Sequence, residues 1–255
     1  DGCDDLEVVA DKLIEDNVTS SLIKNGLVAI YSGNSSEMVH HVNITQSEWG
    51  TMFGRQIASG GDINGDGRDD VFIGEFDTGF ILLQTQTGPL TYFTDDFMSN
   101  LGWNYRDADL PNATNVLLLD SHLADFNGDG FDDLLLGWGH GTAYSRIFYN
   151  NQQGNFDQSN SIALPVSVYG VDNNLHMKTF SSDLDSDGDL DILILQSRYD
   201  PFYSGTYIQY LEQSEPNVFI DVTSEKLVDP YQFEDTFGER LQWTNYWELT
   251  DIDTD

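Results

Sequence analysis

The sequence predicts an all-β protein, a β-propeller of four-stranded blades, and three observations carry that expectation. The segments DINGDGRDD at Asp62–Asp70, DFNGDGFDD at Asp125–Asp133 and DLDSDGDLD at Asp183–Asp191 repeat one pattern. An unbroken apolar run follows each at once: VFIG from Val71, LLLG from Leu134 and ILIL from Ile192. The copies recur at about 60 residues, and a long period holding several short strands is how a propeller blade reads in sequence. The chain also ends on the first half of the pattern, DIDTD at Asp251–Asp255, and opens on the second half, DGCDD at Asp1–Asp5.

These landmarks divide one domain, residues 1–255, into approximate repeats 1–52, 53–114, 115–174, 175–236 and a partial 237–255. About four blade periods are therefore present. In the first, Gly26–Tyr31 and His41–Thr45 read as strands, and Ala10–Asn25 reads as a short helix inserted in the blade. In the later repeats a strand precedes each Asp-rich loop, at Arg55–Ser59, Val116–Leu119 and Leu175–Phe180. The apolar run is the second strand. Its lack of polar alternation suits a strand covered on both faces, as happens when blades stack. A third strand follows at Gly79–Leu83, Ala143–Tyr149 and Thr206–Leu211, and a fourth at Leu90–Phe93 and Val218–Val222. Each is rich in aromatic and β-branched residues and is bounded by turn formers.

Charge narrows the partners. Ten basic residues stand against 44 acidic ones, a net charge of -34. Such a polyanion is repelled by nucleic-acid phosphates and anionic membrane surfaces. No apolar run approaches the ~20 residues of a spanning helix, so no direct membrane insertion is expected. Disorder, the other reading of high acidity, conflicts with the many strand-like apolar runs. Cys3 is the single cysteine, which leaves no internal disulfide within the chain. The opening residues read as the middle of a longer protein, so the chain reads as a fragment.

The acids that remain to be explained are those of the repeated loop. In Asp-x-Asp/Asn-x-Asp-Gly-x-x-Asp, positions 1, 3 and 5 turn inward, the glycine at 6 permits a sharp turn, and the carbonyl at 7 faces the same point. Hard oxygen donors at this spacing suit Ca2+, which takes 6–8 oxygens at about 2.3–2.6 Å. The expected ligands are Asp62, Asn64, Asp66, the carbonyl of Arg68 and Asp70 in the first complete loop. They are Asp125, Asn127, Asp129, the carbonyl of Phe131 and Asp133 in the second, and Asp183, Asp185, Asp187, the carbonyl of Asp189 and Asp191 in the third. Partial loops would add Asp1, Cys3, Asp5, Asp251, Asp253 and Asp255. About three complete structural calcium sites follow. An EF-hand needs Glu at position 12, where this chain has Ile73, Leu136 or Ile194. Magnesium demands a tighter octahedron, and no Cys/His cluster points to zinc. The competing reading is a solvated Asp-Gly turn without metal.

Phe53-Gly54-Arg55 followed by DINGDGRDDVFIG resembles the FG-GAP repeat of integrin α-subunit propellers and their bacterial relatives. Gly74-Glu75-Phe76 departs from that family's Gly-Ala-Pro, and Phe237-Gly238-Glu239-Arg240 opens another FG unit. The middle repeats resemble the related VCBS repeat, whose tail is echoed from Tyr149 to Phe156. The resemblance implies a seven-bladed parent ring, with calcium in the loop joining the first two strands of a blade. It also implies an extracellular or cell-surface adhesion and recognition module for protein or polysaccharide. The alternative is the propeller portion of a larger secreted polysaccharide-degrading enzyme.

No catalytic constellation is expected within the chain itself. His40 and His41 are adjacent in a strand and face opposite ways. His122 and His140 read as packing or surface residues. No Gly-x-Ser-x-Gly, phosphate loop or His-Glu-x-x-His occurs. Trp49, Trp103, Trp138, Trp243 and Trp247 read first as filling between blades, and second as sugar-stacking platforms.

Overall fold

The computed structural model of the chain describes residues 6–15, 22–33, 38–45, 56–74, 79–85, 88–92, 117–139, 144–198, 204–228 and 231–232. Strands β1 (Leu6–Glu15), β2 (Leu22–Gly33) and β3 (Met38–Thr45) form an antiparallel three-stranded sheet. Three four-stranded meanders come next. The first holds β4 (Gln56–Gly61), β5 (Asp70–Gly74), β6 (Gly79–Thr85) and β7 (Gly88–Tyr92). The second holds β8 (Leu117–Ala124), β9 (Asp133–Gly139), β10 (Arg146–Asn150) and β11 (Phe156–Ala163). The third holds β12 (Asn174–Ser182), β13 (Asp191–Arg198), β14 (Ser204–Glu215) and β15 (Val218–Asp221). A one-turn helix α1 (Thr223–Lys226) follows, and β16 (Tyr231–Gln232) pairs with β14. The fold is thus an all-β propeller of four-stranded antiparallel blades, and every complete Asp-rich loop joins the first two strands of its blade.

One expectation is corrected. The segment Ala10–Asn25 holds no helix among its described residues: β1 and β2 form a hairpin in continuous register from Leu6 opposite Tyr31 to Glu15 opposite Leu22. Helix propensity is a weak local preference, a few tenths of a kcal/mol per residue. A ladder against the β-rich Leu27–Tyr31 stretch outweighs it. Two strands extend what the sequence suggests: β8 runs on to Ala124, and β14 covers Ser204–Glu215. Strand β11 carries an exposed polar pattern with little sequence signature of its own.

The apolar second strands explain how the blades hold together. On β9, Leu134, Leu136 and Trp138 pack with Phe72, Ile81 and Ile63 of the preceding blade. Leu135, between them, points the other way and packs with Ile192, Ile194 and Leu211 of the following blade. Successive side chains of a strand face opposite sides, so an all-apolar strand serves two interfaces at once. Trp138 is buried in this core, which settles its role as filler; the other four tryptophans, and His140, lie outside the described residues. At the inner strands the contact turns polar. His176 on β12 takes Ser145 at 2.8 Å through Nδ1 and Thr179 at 2.7 Å through Nε2, and His122 on β8 meets Ser181 at 2.8 Å. Lys178 donates to the buried Asp120 at 3.1 Å.

Burial, and then the charge of Lys178, lowers His122 to about 4 and His176 to about 3. His176 is therefore neutral, and its 3.8 Å approach to Asp120 is not an ion pair at neutral pH. A histidine depressed in the folded state binds fewer protons than in the unfolded chain between its two pKa values. Its contribution to stability is complete above about 6.5 and is lost as the pH falls toward 3. Burial acts in the opposite sense on Asp120, whose carboxyl is raised and favours the fold on acidification.

Two outcomes are expected. Leu135→Ala, at a position with no exposed surface, destabilises by about 2–5 kcal/mol in a denaturant titration, whereas the fully exposed Val228→Ala changes stability by less than about 0.5 kcal/mol. His176→Gln flattens the dependence of unfolding free energy on pH between about 6.5 and 4 relative to the parent chain. Identical slopes in the two proteins would show that His176 does not titrate with unfolding.

Candidate metal centre

The three complete loops share one hydrogen-bond scheme. The backbone N–H at position 5 is bonded by the side-chain oxygens of positions 1 and 3 together. Asp66 donates to Asp62 at 2.9 Å and Asn64 at 3.0 Å, Asp129 to Asp125 at 3.0 Å and Asn127 at 2.9 Å, and Asp187 to Asp183 at 3.1 Å and Asp185 at 3.3 Å. The glycine N–H at position 6 reaches the second oxygen of position 1, at 2.7, 2.8 and 3.1 Å. The N–H at position 7, of Arg68, Phe131 or Asp189, donates to the side chain at position 5. Positions 4 and 6 have positive φ, supplied by Gly65 and Gly67 and by Gly128 and Gly130. In the third loop Ser186 takes φ 65° beside Gly188, which a non-glycine residue adopts only at some cost. The winding of the turn brings positions 1, 3 and 5 together.

The ninth position behaves differently. Asp70, Asp133 and Asp191 are buried, at 0, 0 and 1 % exposure, while the other loop acids are exposed or half-exposed. Their carboxylates accept the N–H of position 2, from Ile63 at 3.0 Å, Phe126 at 3.1 Å and Leu184 at 3.1 Å. Asp133 also takes the N–H of Asn150 at 2.8 Å, and Asp191 that of Gln213 at 3.0 Å together with the Tyr210 hydroxyl at 3.0 Å. This residue pins the loop to the third strand of its blade.

Asn150 and Gln213 are functional residues that sequence reasoning missed. The Asn150 side chain donates to the carbonyl of Ile63 at 2.6 Å, in the loop of the preceding blade. Gln213 does the same to Phe126 at 3.1 Å. The first and second loops are thereby clasped at position 2 by the next blade. Asn150 had a signal, since it lies within the Tyr149–Phe156 tail already noted as a motif. Gln213 had none. Asp132 adds a direct tie, accepting the N–H of Asp62 at 2.5 Å.

Oxygens bound at about 2.3–2.6 Å to one calcium stand no more than roughly 5 Å from each other. Carboxylate oxygens of Asp183, Asp185 and Asp187 lie within 4.8 Å of one another at the surface, so this donor set fits such an ion. The first two loops have Asn64 or Asn127 at position 3 and so one carboxylate fewer. In the first, the Arg68 guanidinium lies 2.6 Å from Asp66. Clustering has an electrostatic cost. Burial first, then the neighbouring Asp129 and Asp125, pushes Asp133 up to about 7, against the opposing N–H bonds from Asn150 and Phe126. Desolvation, then Asp187 and Asp191, raises Asp185. A bound cation would favour the charged forms. The partial-loop residues Asp1, Cys3, Asp5, Asp251, Asp253 and Asp255 lie outside the described residues.

The FG-GAP-like repeat family matches residues 125–194, and the FG-GAP repeat family matches residues 53–81. Both matches fall on the blades and loops just described. No curated protein matches the sequence. Among solved structures, the chain is similar to an Agrocybe aegerita lectin described for specific recognition of non-reducing terminal N-acetylglucosamine. The two share 15 % identity at a TM-score of 0.42, over 83 % of this chain and 50 % of that one, so the chain spans half the lectin's length. The repeated loop and the blade it closes thus fall where FG-GAP-type repeats are matched, at residues 53–81 and 125–194.

Proposed function

We propose that this chain is a calcium-braced, non-catalytic recognition module of an extracellular or cell-surface protein, with protein or polysaccharide as its ligand. The observation that carries the reading is the threefold recurrence of one loop geometry, in which the side chains of positions 1 and 3 converge on the backbone N–H of position 5. A carboxylate gathered this way is repelled by its neighbours until a divalent ion arrives. Calcium would be held by the side chains at positions 1, 3 and 5, while the ninth-position acid keeps the loop on its blade. Bound to the folded chain and not the unfolded one, it would act as a structural element.

The non-catalytic part has support in the polar seam. Ser145, His176 and Asp120 fall in one line, as in a hydrolase, yet His176 is wholly buried and its Nε2 is occupied by Thr179. With a pKa of about 3, that imidazole is too weak a base to activate a serine hydroxyl near neutral pH.

The expected result is a calcium-specific rise in melting temperature. At a free calcium concentration about 100 times Kd, each site adds ~2.7 kcal/mol. Asp187→Ala removes the contribution of the third loop and leaves that of the other two. Equal responses to magnesium and calcium, or a folded chain indifferent to both, would return the loops to plain Asp-Gly turns.

A further inference from the structure

A shallow cleft lies between the second and third blades, at the end of their strands away from the Asp-rich loops. Its wall includes Ser145 at the start of β10, Ser167 in the connection between the blades, Asn174 at the start of β12 and Gln196 on β13. Gln196 is five residues along β13 from Asp191, roughly 16 Å at the usual strand rise. The cleft leaves about 20 Å³ open to a water-sized group, against the roughly 10–15 Å³ that one such group needs.

A buried acceptor stands without a partner in this wall. Gln196 is 2 % exposed, and its Oε1 has no hydrogen bond among the described residues. The orientation of its amide is fixed from a distance. Asp221 and the carbonyl of Pro165 can only accept, and the Gln209 amide nitrogen serves both, at 2.9 and 3.2 Å. The Gln209 oxygen is then left to accept, and the Gln196 amide nitrogen supplies it at 2.8 Å. The Gln196 oxygen is what remains. A buried acceptor without a donor is costly, and a ligand hydroxyl or an ordered water relieves it.

The rest of the wall has the opposite polarity. Asn174 accepts the Ser167 hydroxyl at 2.7 Å through its oxygen, which leaves its amide NH2 as a donor. Asn174 and Gln196 stand on paired strands two positions apart in register, and a group that both donates and accepts matches the pair. None of the lining residues is charged, in a chain with 44 acids, which selects against a charged ligand. Val166 at the rim and Val168 beside it are 38 and 57 % exposed and offer an apolar edge. We infer that this cleft seats a hydroxyl of a neutral sugar, with Gln196 accepting from it, Asn174 donating to it and the valines against its C–H face. The assignment rests on the recognition reading above and names polysaccharide over protein as the ligand.

The test is a 15N-resolved NMR titration of the calcium-loaded chain with a panel of neutral methyl glycosides, repeated for Asn174→Ala and Gln196→Met. At least one glycoside is expected to shift the amides of Ser145, Ser167, Asn174 and Gln196. Each variant should weaken that binding about three- to tenfold, the loss of one neutral hydrogen bond, while keeping its calcium-dependent melting rise. Asn174 is only half-buried, so its variant guards against an effect of misfolding. Glycoside shifts that cluster elsewhere, or that persist undiminished in both variants, overturn the cleft and leave the recognition reading standing. No shift with any glycoside also overturns the cleft, and the calcium melt then judges the loops independently.

Discussion

A buried carboxylate at the ninth position of the loop organises the rest of the blade. Asp133 and Asp191 each join three parts of the chain: the start of their own loop through the N–H of position 2, the second strand that they begin, and the third strand through the N–H of Asn150 or Gln213. A charged or polar group is buried at reasonable cost only when donors surround it. These backbone N–H groups meet that condition and leave the outer acids of the loop facing water. The residue that donates to the carboxylate then reaches the previous blade with its amide, to Ile63 or Phe126. Loop closure and blade-to-blade attachment are consequently one linked network.

The apolar contribution is organised by the same strands. Because Leu134, Leu136 and Trp138 face one neighbour and Leu135 the other, the second blade contributes to both apolar clusters and is held on both sides. At the inner strands the contact between blades is polar, where His122, His176, Asp120 and Lys178 face one another. The blades are thus pinned at the loop end by amide clasps, through the middle by apolar contact, and at the inner strands by neutral histidines.

This arrangement separates two kinds of surface. The Asp-rich loops collect negative charge at one end of the strands, where Asp132 leans across to the neighbouring loop and burial raises its carboxyl. The cleft at the other end is lined by uncharged groups. A cation bound at the first end would stiffen the hairpin without touching the second.

Much of this was legible in the residues. The nine-residue loop pattern, the glycines at its sixth position and the apolar runs identify the blades, because turn chemistry and two-sided burial are local properties of sequence. The Ala10–Asn25 stretch was misread as helix because its composition is ambiguous and only pairing with Leu27–Tyr31 decides it. The division of labour within the loop was also hidden. Sequence spacing treats the ninth aspartate as one more inward acid, whereas its burial depends on the third strand and the next blade. Gln213, the Gln196–Gln209–Asp221 relay and the line from Ser145 through His176 toward Asp120 join residues from different strands. Sequence alone determined that the chain is made of Asp-looped β blades. Only the tertiary structure decided which acids are buried as pins and which amide oxygen is left over, because hydrogen-bond satisfaction depends on neighbours brought together from different strands and blades.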